Sequence, residues 1–153
     1  MRYRIRKSYL ALGAVIALCA AVLLWPVPFT RYANTAEVEY MTLLSRESGT
    51  SRSRPDLTPE ELGQVLSLLE GGRLRWRGFC RNIVYSGGET LYSVTLSHME
   101  NGACVQDARF ELLSDGTLYN VWYNVGYTRF HLESVDMEAL CRTLDGLLSG
   151  GAA

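Results

Sequence analysis

Short turn sequences separate a series of alternating segments in the second half of the chain. These turns are Gly87-Gly88, Asn101-Gly102, Asp115-Gly116 and Gly126. Asn-Gly and Asp-Gly are typical of tight hairpin loops, whose central residues need positive φ. Strands joined by such loops pair antiparallel with their chain neighbours. The sequence therefore predicts an antiparallel meander with strands near residues 73–77, 91–98, 105–113, 117–124 and 127–132.

Two segments have the helical period instead. Thr58-Pro59-Glu60-Glu61 supplies an N-cap, a proline at the first helical position and a glutamate three residues after the cap. An apolar stripe follows, and Gly71-Gly72 ends it. A second amphipathic helix is predicted over residues 135–148, with Ser134 as its cap and Gly150-Gly151 after its end. The first stripe consists of Leu62, Val65, Leu66 and Leu69, and the second of Met137, Leu140, Cys141, Leu144, Leu147 and Leu148.

An apolar stretch over residues 9–25 marks the start of the chain. Four basic residues precede it, and Pro26-Val27-Pro28 follows it. As a helix it rises about 26 Å, close to the ~30 Å hydrocarbon core of a bilayer. A permanent anchor and a cleaved signal peptide both begin in this way, and no good cleavage site is present. The excess of cations before the stretch predicts a cytoplasmic N-terminus. We therefore predict a single-pass anchor with an extracellular C-terminal domain, or secretion after cleavage.

These segments define the predicted architecture. We expect an α+β fold in which a meander sheet of about five to six strands carries two amphipathic helices on one face, after one N-terminal transmembrane helix. The predicted divisions are a basic segment at 1–8, the anchor or signal peptide at 9–29, and a first strand and linker at 30–57. The α+β domain covers 58–149, and a tail covers 150–153. Within the linker, the polar segment 46–56 is predicted to be a loop.

The charge distribution argues against nucleic acid as a partner. Eleven basic and all sixteen acidic residues lie after residue 30, so that part carries −5, whereas the whole chain carries −1. Nucleic-acid binding requires a basic patch or stripe. We predict the membrane as one partner, through the N-terminal helix, and a protein or a cell-envelope component as another.

The order of these features resembles small membrane-anchored or exported domains of unknown function from Gram-positive bacteria such as clostridia. The similar features are the charged start and apolar run, LTPEELGQVLSLLEGG, LLSDGTLYNVWYN and the final leucine-rich helix. The resemblance implies an extracytoplasmic domain of sheet and helices. It implies neither an activity nor any site residue.

Cysteine and histidine are the candidate reactive residues. Cys80 lies near a strand end and Cys104 just after a hairpin turn, so a disulfide between them is one hypothesis. Cys141 fits a small buried apolar residue on its helix. The chain has no C-x-x-C or H-x-x-x-H spacing, so we predict no metal and no cofactor. A thiol enzyme would need a reduced cysteine beside His98 or His131.

Two sets of side chains are candidate binding residues. Arg73, Arg75 and Arg77 share one strand face, where they would meet anionic lipid headgroups or cell-wall polymers, or pair with cross-strand acids such as Glu111. The second set is aromatic and would form either a contact patch or sheet packing. It consists of Tyr119, Trp122, Tyr123 and Tyr127.

These features leave three classes of function open. The leading prediction is a membrane-tethered, extracytoplasmic binding or regulatory module of unknown ligand. The alternatives are a structural envelope-associated domain without a ligand and a thiol-dependent enzyme.

Overall fold

The computed structural model describes residues 7–47, 50–83, 89–122 and 126–150. Its helices and strands alternate irregularly along the chain. The four helices are α1 (Lys7–Leu24), α2 (Phe29–Ala33), α3 (Pro59–Glu70) and α4 (Met137–Gly150). The strands are β1 (Val27–Pro28), β2 (Tyr40–Glu47), β3 (Thr50–Arg54), β4 (Arg73–Cys80), β5 (Leu91–Glu100), β6 (Ala103–Leu113), β7 (Thr117–Trp122) and β8 (Gly126–Glu133).

All strands belong to one antiparallel sheet. Its order is β1-β4-β8-β7-β6-β5-β2-β3, and β5 to β8 pair in chain order as a meander. Because the described residues form eight strands, the prediction of five to six is wrong. The additional strands are β3 and β1, which lie at the two edges of the sheet.

The two edge strands explain why the sequence predicts too few strands. Residues 46–56 were expected to form a loop, yet Arg46 and Glu47 continue β2 and Thr50–Arg54 returns beside it. Most side chains of β3 are exposed, and an edge strand without a buried face has no apolar alternation to reveal it. The other edge strand is two residues long and contains Pro28, a residue that sheets tolerate at their edges.

The predicted start of α3 is confirmed. The Oγ1 atom of Thr58 accepts a hydrogen bond from the backbone N–H of Glu61 at 3.3 Å, and the Glu61 carboxylate accepts one from the N–H of Thr58 at 2.9 Å. This reciprocal arrangement is a capping box. After the helix, Gly72 fits where a Cβ atom would lie only 2.8 Å from the carbonyl oxygen of Leu69.

The cap predicted for α4 is wrong. Asp136 caps this helix, since its Oδ1 atom accepts a hydrogen bond from the N–H of Ala139 at 3.0 Å. Ser134 adopts a φ of 62° in the turn before it. Asp and Ser are both favoured caps, so their identity alone does not decide between two nearby candidates.

Both long helices of the globular part pack on one face of the sheet, as predicted. A single apolar core forms between them and the inward residues of β2, β5 and β6, which include Leu43, Leu96 and Phe110. Phe29 of α2 joins this core edge-to-face with Phe110, at 5.6 Å between ring centroids. The side chain of Phe29 is fully buried.

The prediction of a transmembrane N-terminal helix is also wrong. α1 ends at Leu24, before Pro26, and its apolar part begins only at Tyr9. At 1.5 Å per residue that part is about 24 Å long, whereas a hydrocarbon core is about 30 Å thick. Within the described ranges, no helix has the length and apolar character needed to cross a bilayer.

Candidate functional site

The outer face of the sheet, opposite α3 and α4, carries the polar candidate residues. Successive strand residues point to alternate faces, so the side chains of Arg73 and Arg75 lie opposite the buried Leu74. In β8, Arg129 and His131 flank the inward Phe130, which packs against the core. Cross-strand pairing places Arg75 beside His131. The sheet thus brings cations of β4 and β8 together on one surface.

A β-bulge in β4 sets the position of Arg77. Trp76 pairs with Phe130 and Gly78 pairs with Arg129, so Arg77 is an extra residue without a partner on β8. Gly78 has a φ of 114°, a backbone conformation that glycine tolerates and other residues rarely adopt. The guanidinium of Arg129 donates a hydrogen bond from Nη2 to the carbonyl oxygen of Arg77 at 3.3 Å. Bulges of this kind re-aim side chains next to binding sites.

A cleft of about 460 Å³ opens on the outer face beside this bulge. We call it the β4–β8 cleft. Ile83, which follows β4, packs against Leu113 and Tyr119 on the same face. The cleft is lined by Arg77, Glu89, Leu113, Asp115, Thr117, Tyr119, Arg129, Phe130 and His131.

Two cations of the outer face differ in their partners. Arg75 binds Glu133 through two hydrogen bonds, from Nε at 2.5 Å and from Nη2 at 3.1 Å. This pairing lowers the pKa of Glu133 and raises the pKa of Arg75. By contrast, neither Arg77 nor Arg129 takes part in an ion pair with any acid of the described residues. The charge of Arg77 also lowers the pKa of Glu133, but no carboxylate of the described residues is in direct contact with either guanidinium.

Acidic side chains also line the β4–β8 cleft. The Asp115 carboxylate is occupied by its own turn, since it accepts hydrogen bonds from the backbone N–H of Thr117 at 2.7 Å and from its hydroxyl at 3.0 Å. Glu89 lies on the chain that precedes β5. The cleft is therefore lined by polar side chains of both charges. Its two arginines form no ion pair with an acid of the described residues.

The expected pairing with a cross-strand acid is found for Arg75, but its partner is Glu133 and not Glu111. Glu111 lies on β6, and β7 and β8 separate β6 from β4, a distance of about 14 Å at the usual strand spacing. Its side chain is buried and hydrogen-bonded to the Ser93 hydroxyl. Burial raises the pKa of Glu111, although Ser93, Arg46 and Arg109 oppose this shift.

Two residues of the predicted aromatic set pack within the sheet, and the side chains of the other two cannot be placed from the described residues. Tyr119 is only 3% exposed, and its ring meets that of Tyr127 edge-to-face at 6.3 Å. Both belong to a small apolar cluster with Leu91 and Leu113. The side chain of Trp122 and the whole of Tyr123 lie outside the described residues. Tyr119 and Tyr127 therefore stabilise the outer face and do not form an exposed contact patch.

The structure does not bring Cys80 and Cys104 together. Both are free thiols, on β4 and β6, and a disulfide needs Cα atoms within about 7 Å. Cys104 pairs with Met99, whereas His98 pairs with Val105. Since neighbouring residues of a strand point to opposite faces, Cys104 and His98 do not form a nucleophile pair. Cys141 is half-buried on α4, and burial raises the pKa of its thiol.

His98 is engaged elsewhere. Its Nδ1 atom lies 2.8 Å and 2.9 Å from the two carboxylate oxygens of Asp107. This hydrogen bond, together with the charges of Asp107, Glu37 and Glu100, raises the pKa of His98. Among the described residues, no group of His, Cys, Asp or Glu is arranged to hold a metal ion.

Sequence reasoning missed Arg129 and considered His131 only as a histidine beside a reactive cysteine. Both lie on the face of β8 opposite Phe130, but only the pairing of β8 with β4 joins them to the arginine row. Sequence comparison adds nothing to this geometry. No protein-family model matches the chain, and neither a curated protein nor a solved structure matches it significantly.

Proposed function

We propose that the chain is a binding module that holds an anionic group of its ligand in the β4–β8 cleft. One observation carries the proposal. The bulge at Gly78 places Arg77 beside Arg129, and neither guanidinium is paired with an acid of the described residues. In contrast, the neighbouring Arg75 is held by Glu133.

The chemistry of the two arginines suits carboxylate or phosphate. A guanidinium presents several N–H donors in one plane, which match the oxygens of these groups. Arg77 and Arg129 are carried by paired strands, so their backbones are held by the sheet and little order is lost on binding. The cleft, at about 460 Å³, falls in the range of small-molecule sites.

Two features of the surroundings support binding over a purely structural role. Tyr119 forms an apolar floor beside the charged groups, and ligand sites commonly combine apolar walls with a few polar contacts. Thr117 and His131 supply further hydrogen-bonding groups on the same wall. A thiol enzyme finds no such support, since the described residues hold Cys104 and His98 on opposite faces.

The test uses inorganic phosphate and acetate as probes of the cleft. The full chain, labelled with nitrogen-15, is titrated with each anion while amide shifts are recorded. We expect the largest shifts at Gly78, Arg129 and Thr117, which lie at the cleft. Arg77→Gln and Arg129→Gln should each weaken binding roughly tenfold, because a charge-assisted hydrogen bond contributes about 1.5 kcal/mol.

Arg109→Gln is the matched control, since Arg109 is exposed on the outer face of β6 and does not line the cleft. It should leave the affinity unchanged. The proposal fails if the control weakens binding as much as the cleft variants do, or if the amide shifts are spread over the surface. A structural role without a ligand would be indicated if neither anion bound.

The location of this module stays a prediction. Extracytoplasmic placement can be tested with a tag at the C-terminus, by asking whether external protease removes it from intact cells. The titration does not distinguish a protein partner from a cell-envelope partner, because phosphate and carboxylate groups occur in both.

A further inference from the structure

Most of the exposed large apolar side chains of the described chain lie on α1. Those of α1 are between 50% and 67% exposed, and the adjoining Trp25 is 71% exposed. Soluble proteins rarely expose contiguous apolar patches of this kind unless the patch contacts a partner or a membrane. These exposed large apolar residues of the helix are Tyr9, Leu10, Leu12, Val15, Ile16, Leu18 and Leu24.

The distribution of these side chains favours lipid as the occupant. Leu10, Val15 and Ile16 point in widely separated directions around a helix of 3.6 residues per turn, and all three are more than half exposed. A protein groove covers one side of a helix, whereas lipid chains can surround it. A helix that is apolar on all sides belongs in an apolar environment.

A cleft at the C-terminal end of α1 adds a site for a polar headgroup. It has a volume of about 600 Å³, and we call it the α1 cleft. Its walls are mainly apolar, but Arg31 and Arg73 also line it. Neither arginine takes part in an ion pair among the described residues. The apolar wall consists of Leu18, Ala21, Trp25, Pro26, Val27 and Pro28.

The charged side chains that line this site, Arg31 and Arg73, have one sign. The first acidic residue of the chain is Glu37, so every charged side chain before it is basic. Across the sheet, the carboxylate nearest to Arg73 in register is Glu133, which is already bound by Arg75. Anionic lipid attracts basic residues held near the membrane surface, and a tryptophan beside them suits the interface.

We propose that the α1 cleft binds the headgroup of an anionic phospholipid at a membrane surface, with its phosphate on Arg31 and Arg73 and its acyl chains along α1. The site is separate from the β4–β8 cleft and does not depend on the function proposed for it. Lipid contact of this kind does not require α1 to cross the bilayer.

Vesicle flotation of the full chain tests the proposal. We expect the protein to float with vesicles of phosphatidylcholine and phosphatidylglycerol at a ratio of 7:3 and to bind them more tightly than vesicles of phosphatidylcholine alone. The double variant R31Q/R73Q should lose about 30-fold in affinity for the anionic vesicles, as expected for two basic residues at such a surface.

The double variant R77Q/R129Q removes the same charge from the other cleft and should retain the preference for anionic vesicles. A second measurement follows tryptophan emission, which should shift to the blue on vesicle binding in the native chain and shift less in Trp25→Phe. Free inorganic phosphate at 50 mM, with ionic strength matched by chloride, should not displace the protein if the lipid supplies the headgroup.

Several outcomes would overturn the inference. Equal binding of the native chain to both kinds of vesicle would remove the headgroup site. If R31Q/R73Q kept the full preference for anionic vesicles, or if R77Q/R129Q lost as much affinity for them, the preference would depend on net charge and not on the α1 cleft. Displacement by phosphate would indicate a free-anion site. Self-association in sedimentation velocity without vesicle binding would show that α1 meets another copy of the chain.

Discussion

The two faces of the sheet are built from the same strands and serve different purposes. Along β6, Ala108, Phe110 and Leu112 point to the helices and belong to one large core. Their neighbours Arg109 and Glu111 point to the outer face. On that face, the described residues form one small buried apolar cluster, around Leu91, Leu113 and Tyr119.

This difference shows which positions of the sheet can hold charged side chains. The inner face must match two helices at nearly every position, because a buried polar group without a partner is costly. The outer face needs only its small cluster to stay packed, so other positions can hold charged groups such as Arg77 and Arg129. Stability is therefore expected to reside mainly on one face and binding on the other.

The largest expected effect compares adjacent residues of β6 on opposite faces. Phe110→Ala removes a fully buried ring and should lower the free energy of unfolding by about 3–5 kcal/mol. Arg109→Ala changes an exposed side chain and should stay within about 0.5 kcal/mol. Urea denaturation of both variants measures the difference. Similar losses in the two would contradict the division between the faces.

A second comparison of the inner and outer faces uses two leucines that are equally buried. Leu112 belongs to the large core and Leu113 to the small outer cluster, and both are at most 2% exposed. Leu112→Ala should cost about 4 kcal/mol and Leu113→Ala about 2 kcal/mol, because a small cluster at the surface can collapse more readily around the cavity. Urea denaturation should rank them in this order, and the reverse order would show that the outer cluster is the more rigid one.

The inner face was the more predictable one from sequence. Apolar alternation and helical stripes report burial directly, so the α+β class, the pairing of β5 to β8 and the start of α3 at Thr58 were all accessible. The edge strands were not, since β3 buries almost nothing. A pattern that depends on burial cannot reveal a strand that is held mainly by its backbone hydrogen bonds.

The outer face was predicted only in part. The arginine row of β4 was visible in the sequence, but its partners depend on which strand lies beside β4. That neighbour is β8, which supplies Glu133 to Arg75 and brings Arg129 to Arg77. Strand order in a sheet is a long-range property, and local alternation does not determine it. The bulge at Gly78 likewise required the register of two strands.

A smaller effect is expected where the helical layer begins. Thr58→Ala removes the side-chain cap of α3 and should cost about 1 kcal/mol. Ser67→Ala is the matched control in the same helix, since the hydroxyl of Ser67 bonds only to a carbonyl within that helix. Thermal unfolding compares them. Equal melting temperatures would mean that tertiary packing alone positions the start of α3.

The smallest expected effect tests the outer face through Glu111. Burial raises the pKa of this carboxyl, so the folded chain keeps its proton at pH values where the unfolded chain has already lost it. The folded state therefore loses stability as pH rises through that interval, above the usual carboxyl pKa. Glu111→Gln has no charge to desolvate, and its amide can still bond to the Ser93 hydroxyl.

The variant should consequently melt at a higher temperature than the native chain at pH 8, and the difference should shrink as the pH is lowered to 4. Ser93→Ala provides the complementary change, because it removes the hydrogen bond that favours the charged form. It should lower the melting temperature more at pH 8 than at pH 4. A Glu111→Gln variant that is less stable at pH 8 would mean that attraction by Arg46 and Arg109 outweighs burial, and the outer face would then depend on charge pairing for its stability as well as for binding.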